Sequence, residues 1–178
     1  MKLLISRPLP DLVLATARSR FDVTARDSTT PMSRDEMIAA LRENDVVMPT
    51  LGDAFSADIF AEAGEIRCRL LANFGVGYNH LDVDAARTAG VAVTNTPGTV
   101  TDATADIALT LMLMSTRRAA EGERMVRAGR WKGWHPTQML GMHMTGKRLG
   151  VVGMGRIGQA IAKRCHFGFG MSVGYVAR

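Results

Sequence analysis

A chain of 178 residues that is 47% apolar, 22% charged and 6% aromatic has the make-up of a packed globular protein, which excludes fibrous, low-complexity and wholly disordered organisations. Its net charge of +5 suits nucleic acid, anionic lipid or small anions as partners, and small anions are sufficient to account for it. No apolar stretch approaches the ~20 residues that span a bilayer, and the opening run Leu3-Leu4-Ile5 is too short for an export signal, so neither a membrane partner nor secretion is expected.

Residues 2–6, 22–25, 45–49, 69–74 and 91–95 are short runs rich in Val, Leu or Ile, each bounded by turn or charged residues, the pattern of strands. Between them, residues 10–19, 33–43, 56–63 and 82–89 repeat apolar side chains at three- and four-residue intervals, as Met37, Ile38 and Leu41 do. These are predicted amphipathic helices. Ser33 with Glu36 three residues later predicts a capping box, each side chain satisfying a backbone N–H at the helix start. Alternating strand and helix specify an α/β fold with a parallel sheet covered on both faces. At Thr96-Pro97-Gly98 the alternation breaks, which places a domain boundary there and divides the chain into residues 1–96 and 97–178.

A strongly apolar helix is predicted over 101–116, with Arg117 and Arg118 suited to its C-terminal dipole. Thr101, Asp102, Thr104 and Asp106 crowd its first turns, either as caps for free N–H groups alone or in a binding role as well. Residues 119–128 read as a second helix, with Glu123 and Arg127 on a solvated face. Residues 130–146 form an irregular arm whose Trp131 and Trp134 either face a partner or bury against the chain's own core. Cys68 and Cys165 are in no metal-ligand spacing and read as reduced thiols of a cytoplasmic protein. His80, His135, His143 and His166 match neither metal nor triad spacing and receive no catalytic role, and the methionines are core filler.

Residues 149–152 are a buried-strand run that leads into Gly153-x-Gly155-x-x-Gly158, after which Ile157, Ile161 and Ala162 recur at helical spacing with Lys163 and Arg164 on the other side. With 18 glycines in 178 residues the triplet alone arises by chance in about one such chain in six, so the flanking strand and helix supply the specificity. Gly153 allows the tight turn, Gly155 lets a phosphate approach the backbone, and Gly158 lets helix and strand pack closely. Uncovered N–H groups and the helix dipole then favour a pyrophosphate, which makes Gly153, Gly155, Arg156, Ile157 and Gly158 the candidate dinucleotide-binding residues. A further strand, 171–176, ends without the acid that ordinarily binds the ribose 2′-hydroxyl. Ala177 and Arg178 stand there instead, so NADP is expected in preference to NAD, with Arg178 receiving the 2′-phosphate unless it is simply an exposed chain end.

The strings Asn73-Phe-Gly-Val-Gly-Tyr-Asn-His80-Leu-Asp-Val-Asp-Ala-Ala86, Thr94-Asn-Thr-Pro-Gly98, Thr101-Asp-Ala-Thr-Ala-Asp106, Trp131-Lys-Gly-Trp134 and Gly146-Lys-Arg-Leu-Gly-Val-Val-Gly153 follow one another in a single order. Together they resemble the D-isomer-specific 2-hydroxyacid dehydrogenases, in particular the glyoxylate/hydroxypyruvate reductase branch. The resemblance runs through the whole chain and is strongest from Leu70 onward. It implies a flavodoxin-like substrate-binding domain in residues 1–96 and the first part of a Rossmann dinucleotide-binding domain in residues 97–178. It also implies that the backbone N–H groups of Val76 and Gly77 hold the substrate carboxylate, that Leu51 borders the substrate, and that Thr104 lies near the nicotinamide. Read without the resemblance, residues 75–77 also admit an ordinary turn with Gly75 and Gly77 at positive φ, as the lesser alternative.

The activity so implied is reduction of a small 2-oxo acid, glyoxylate or hydroxypyruvate, to the D-2-hydroxy acid with NAD(P)H, the missing acid favouring NADP and leaving NAD possible. The family's catalytic arginine, glutamate and histidine all come after the second Rossmann strand, so their positions lie past Arg178 and no residue present takes those roles. A longer enzyme truncated within its Rossmann domain is therefore expected, with no measurable turnover from the 178-residue chain alone. A dinucleotide-sensing, corepressor-like binding module and an inactive fragment are the competing readings. The resemblance further implies a homodimer through residues 101–146, and nucleic acid is not an expected partner.

Overall fold

Parallel strands cannot be joined by a hairpin, so each pair in this chain is separated by a crossover helix. The computed structural model describes residues 1–177; the proposed role of Arg178 lies outside the described residues. Strand β1 (Lys2–Ile5) pairs with β2 (Asp22–Ala25) on one side and β3 (Val46–Met48) on the other, with Leu4 opposite Thr24 and Val47. Strands β4 (Leu70–Ala72) and β5 (Ala92–Thr94) complete an all-parallel sheet in the order β2-β1-β3-β4-β5, the doubly wound order of flavodoxin-like folds. The crossovers are α1 (Asp11–Arg18), α2 (Arg34–Glu43), α3 (Ala57–Ala63) and α4 (Val83–Thr88).

Leu4, Val47 and Leu71 of the sheet pack with Met37, Ile38 and Leu41 of α2 and with Ile59 and Phe60 of α3. Helix α1 buries no side chain fully and leaves Leu12 and Val13 exposed, so one face of the sheet edge is covered more thinly than the alternation implies. Past β3 and β4 the ladder continues only as an isolated parallel bridge between Thr50 and Phe74, where the Pro49 carbonyl accepts Phe74 N–H at 2.9 Å. The capping box forms: Ser33 Oγ accepts Glu36 N–H at 3.2 Å and the Glu36 carboxylate accepts Ser33 N–H at 2.7 Å. That N–H and then the Arg26 guanidinium hold the Glu36 carboxyl below its ordinary pKa.

The chain divides into two compact units, Met1–Pro97 and the part from Gly98 onward. In the second, α5 (Thr101–Thr116) and α6 (Ala119–Arg127) precede β6 (Arg148–Val152), α7 (Arg156–Phe169) and β7 (Ser172–Val176). Strands β6 and β7 pair in parallel from Arg148–Ser172 to Val152–Val176. Leu109 and Met112 of α5 pack onto a small core of Met144, Cys165 and Met171, while Ile107 and Leu111 face outward. Both cysteines are free and buried, and burial pushes both thiols up in pKa.

One expectation for this unit is corrected and one alternative is decided. The acids at the start of α5 do not cap it: the N-cap position is Val100, no side chain caps the helix, and Arg164 of α7 instead donates to Asp102 at 2.9 Å and Asp106 at 2.7 Å. Packing of α5 on α7 brings one guanidinium within reach of two carboxylates a helical turn apart, and charge-assisted bonds of that kind outcompete a solvated cap. Arg164 is accordingly not on a free outer face. Of the two alternatives for the tryptophans, exposure holds and burial does not: Trp131 is 54% and Trp134 79% exposed, with Trp131 Nε1–H donating to the Gln138 side chain. Glu123 and Arg127 form the expected exposed ion pair on α6 at 2.7 Å. Among the described residues, no helix is long and apolar enough to cross a membrane.

Replacing Ser33 by Ala removes one half of a complete capping box and is expected to lower the stability of the first unit by about 1 kcal/mol. Urea denaturation of the two proteins measures the difference; equal midpoints would contradict a stabilising cap.

Candidate functional site

Open α/β sheets present ligand sites at the C-terminal ends of their strands, and in the first unit the loops after β1, β3, β4 and β5 all emerge there. Behind the β1 and β3 loops lies Asp53, which is fully buried. Its carboxylate accepts Ser6 Oγ at 2.6 Å, Thr50 N–H at 2.9 Å and Met32 N–H at 2.9 Å, and it pairs with Arg7 at 3.0 Å. Burial works to raise the Asp53 carboxyl, yet the hydrogen bonds and the Arg7 charge prevail and hold it below the ordinary carboxylate value. The loop so anchored turns at Gly52, whose φ of +100° favours glycine, and leaves the Leu51 side chain 67% exposed.

The loop after β4 is organised by a second buried polar residue, Asn73. Its Nδ2 donates to the carbonyls of Gly75 at 3.2 Å and Gly77 at 2.9 Å, and its Oδ1 lies 3.1 Å from His80 Nε2. From the end of β5, Asn95 Nδ2 donates to Val76 O at 2.8 Å and Thr96 N–H to Gly75 O at 3.0 Å. Neither Gly75 nor Gly77 has a positive φ, so this is not the ordinary glycine turn that the bare spacing allows. Burial pushes the His80 pKa down against the opposing pull of Asp53, and the imidazole serves as a hydrogen-bonding partner within the loop.

A concavity of about 260 Å³ beside this loop is lined by Tyr78, Val83, Val93, Thr94 and Asn95. A roomier one, about 880 Å³, is lined by Arg42, Asp45, Glu65, Arg67 and Arg69 among others. Asp45 and Arg69 precede β3 and β4, so that space opens at the N-terminal ends of the strands, away from the edge where such sheets bind ligands.

In the second unit the three glycines divide the labour as their spacing implies. Gly153 has φ +94° and its N–H extends the sheet to Val176 O at 2.8 Å. Gly155 is the N-cap of α7, with φ −75° and open space where a Cβ would stand. A Cβ on Gly158 would overlap the Gly153 carbonyl oxygen and come within 3.3 Å of Val151 Cγ1, so only glycine lets α7 leave β6 this closely. The helix ladder starts with Gln159 N–H on Gly155 O at 2.9 Å, leaving the N–H groups of Arg156, Ile157 and Gly158 ahead of it. This is a cradle of backbone donors at the positive end of a helix dipole, open where a side chain would fill it, and it fits a pyrophosphate.

The structure thus brings Gly153, Gly155, Arg156, Ile157 and Gly158 to one turn, and Leu51, Val76 and Gly77 to one end of one sheet. Thr104 is exposed on the first turns of α5. Asp53, Ser6 and Arg7 are not singled out by any motif, because 47 residues separate Ser6 from Asp53 and only the pairing of β1 with β3 joins them. Asn73 and Asn95 stand inside recognisable strings, but their function is visible only in their hydrogen bonds.

Residues 3–166 match the sequence model of the D-isomer specific 2-hydroxyacid dehydrogenase catalytic domain. The chain is 40% identical to the glycerate dehydrogenase of Hyphomicrobium methylovorum over 175 residues, covering 98% of this chain and 53% of that protein. It is 39% identical to the glyoxylate reductase of Thermococcus onnurineus (strain NA1) over 181 residues, covering 99% and 53%. The solved structure of TT0316 protein from Thermus thermophilus matches with a TM-score of 0.91 at 40% identity, covering 100% of this chain and 56% of that one. The chain belongs to the D-isomer specific 2-hydroxyacid dehydrogenase family. It spans about half the length of the curated relatives it matches.

The Asp53 network makes a pH-dependent prediction. Asp53→Asn is expected to cost about 2–3 kcal/mol at neutral pH, the worth of charge-assisted hydrogen bonds lost from a buried site. Because the folded-state carboxyl is depressed, its stabilisation is complete above the unfolded value of about 3.9 and is lost as pH falls through the lower folded value. Denaturant titrations should therefore show a gap between wild type and variant that is full at pH 7 and shrinks below about pH 4. A gap that stays constant into acid would contradict an ionised Asp53.

Proposed function

We propose that the chain supplies the carboxylate-binding and dinucleotide-binding surfaces of an oxidoreductase that reduces a small 2-oxo acid, glyoxylate or hydroxypyruvate, to the D-2-hydroxy acid with NADPH. The observation that carries the reading is the glycine turn between β6 and α7, where Gly158 permits the close approach, Gly155 leaves the space, and Arg156, Ile157 and Gly158 offer N–H groups to a pyrophosphate. Relatives named glyoxylate reductase and glycerate dehydrogenase support the substrate class.

Within this reading the reduced coenzyme, when bound, supplies the hydride that converts the carbonyl carbon to an alcohol. The chain's own residues bind and orient. Val76 and Gly77 hold the substrate carboxylate through their N–H groups, Leu51 covers the body of the substrate, and Thr104 lies toward the nicotinamide. Polarising the carbonyl and delivering the proton are assigned to none of the residues present. Preference for NADPH rests on the sequence after β7, where Ala177 occupies a position that carries an acid in sites built for the free ribose hydroxyl. The reading includes a homodimer formed through α5 and the arm of residues 130–146, supported by the outward exposure of Ile107, Leu111 and Trp134.

Calorimetry on the chain with each coenzyme tests the dinucleotide site. NADPH is expected to bind more tightly than NADH, and Ala177→Asp to reverse the order. Gly155→Val, which the backbone and the open space tolerate, is expected to weaken both by about tenfold or more without altering the circular dichroism. Tighter NADH binding by the wild type would remove the NADPH preference, and no heat with either coenzyme would remove the dinucleotide assignment. Sedimentation velocity tests the assembly: a dimer is expected, dissociated by Leu111→Asp, and a monomer would count against that interface.

A further inference from the structure

We infer that Asn73, His80 and Asn95 are positioning residues for the carboxylate site, turning three successive peptide groups so that the N–H groups of Val76, Gly77 and Tyr78 face outward as one anion-binding concavity. The inference rests on the carboxylate reading proposed above and adds to it a third donor, Tyr78 N–H, and the side chains that aim all three.

The carbonyls of Gly75, Val76 and Gly77 are each drawn toward the protein by a side-chain amide: Asn73 Nδ2 takes the first and third, Asn95 Nδ2 the second. In a planar trans peptide the N–H points opposite to the carbonyl of the preceding residue. Three inward carbonyls therefore dictate three outward N–H groups, those of Val76, Gly77 and Tyr78. None of the three donates to a protein backbone acceptor among the described residues. Successive outward N–H groups make an anion-binding concavity. Here the orientation does not come from left-handed glycines, since neither Gly75 nor Gly77 has a positive φ. It comes from the two asparagines.

His80 fixes which way the Asn73 amide faces. Asn73 Oδ1 accepts from His80 Nε2 at 3.1 Å, which places a hydrogen on that ring nitrogen. Rotating the amide by half a turn would set Oδ1 against the carbonyl oxygens of Gly75 and Gly77, acceptor facing acceptor, and would turn the Nδ2 donors toward His80 Nε2–H. Asn73 is itself pinned by its backbone N–H on Thr94 O at 3.0 Å. The donors are thus aimed before any anion arrives, so binding does not have to order them.

The test is a titration of the 178-residue chain with oxalate, followed by ¹⁵N–¹H correlation spectra. Wild type is expected to show saturable shifts of the Val76, Gly77 and Tyr78 amides, with the His80 ring nitrogens reporting the Nε2–H form. Asn73→Asp keeps the acceptor for His80 but removes the donors to two carbonyls, and Asn95→Asp removes the donor to the third. Each is expected to weaken oxalate binding by about tenfold, while the amide resonances of β1 and β3 stay in place. His80→Gln, which keeps an N–H donor, is expected to retain binding that His80→Ala loses. If Asn73→Asp does not fold, Asn95→Asp, at a half-buried position, decides the matter. Wild-type amides that shift and variants that bind oxalate equally well would overturn the positioning role and leave the carboxylate site standing. Wild-type amides that do not respond to oxalate would overturn both.

Discussion

Parallel pairing of β1, β3, β4 and β5 is the constraint on which the first unit depends, because it delivers four strand ends, and the loops that follow them, to one side of the sheet. Loops collected in this way carry backbone polar groups into a crowded place, and an unpaired buried polar group costs more than a made hydrogen bond gains. The chain meets that cost with two buried polar residues of different kinds. Asp53, an acceptor only, gathers donors from the β1 loop, the β3 loop and the segment before α2. Asn73, donor and acceptor at once, gathers carbonyls from its own loop and a ring nitrogen from His80. Each residue has its partners, and no buried side-chain nitrogen or oxygen among the described residues lacks one.

The second unit meets a different demand with a different device. On the reading proposed above, a pyrophosphate must come close to the main chain, and the turn between β6 and α7 suits that by omission: Gly155 leaves room outside, and Gly158 removes the atom that would hold α7 off β6. Arg164 then ties α7 to α5 through Asp102 and Asp106, so the helix whose N-terminus forms the cradle is braced along its length by more than the small apolar core of Met144, Cys165 and Met171. Exposed ion pairs are individually weak, yet a single guanidinium shared by two carboxylates on one helix also fixes the rotation of that helix about its axis.

Properties written in local composition were readable from the sequence. Alternation of apolar runs with helical spacing foretells the sheet and its crossovers, the Ser33 and Glu36 pair foretells the cap, and the glycine triplet foretells a turn, since lacking a Cβ is a property of the residue itself. Properties that depend on two distant pieces of chain meeting were not. Asp102 and Asp106 resemble caps until Arg164, 62 and 58 residues away, is brought against them. Ser6 and Asp53 carry no signal at all until β1 lies beside β3. Asn73 falls between these cases: its string is distinctive, but that its amide turns neighbouring carbonyls inward is a matter of geometry alone.

The exposure of Leu51 has a corollary. Its neighbours Thr50 and Asp53 fasten the loop to the interior, whereas its own side chain points away from that scaffold and contributes nothing to the core. Replacement there leaves the frame undisturbed, so on the proposed reading the side chain that meets the substrate can be exchanged without rebuilding the mounting that holds it.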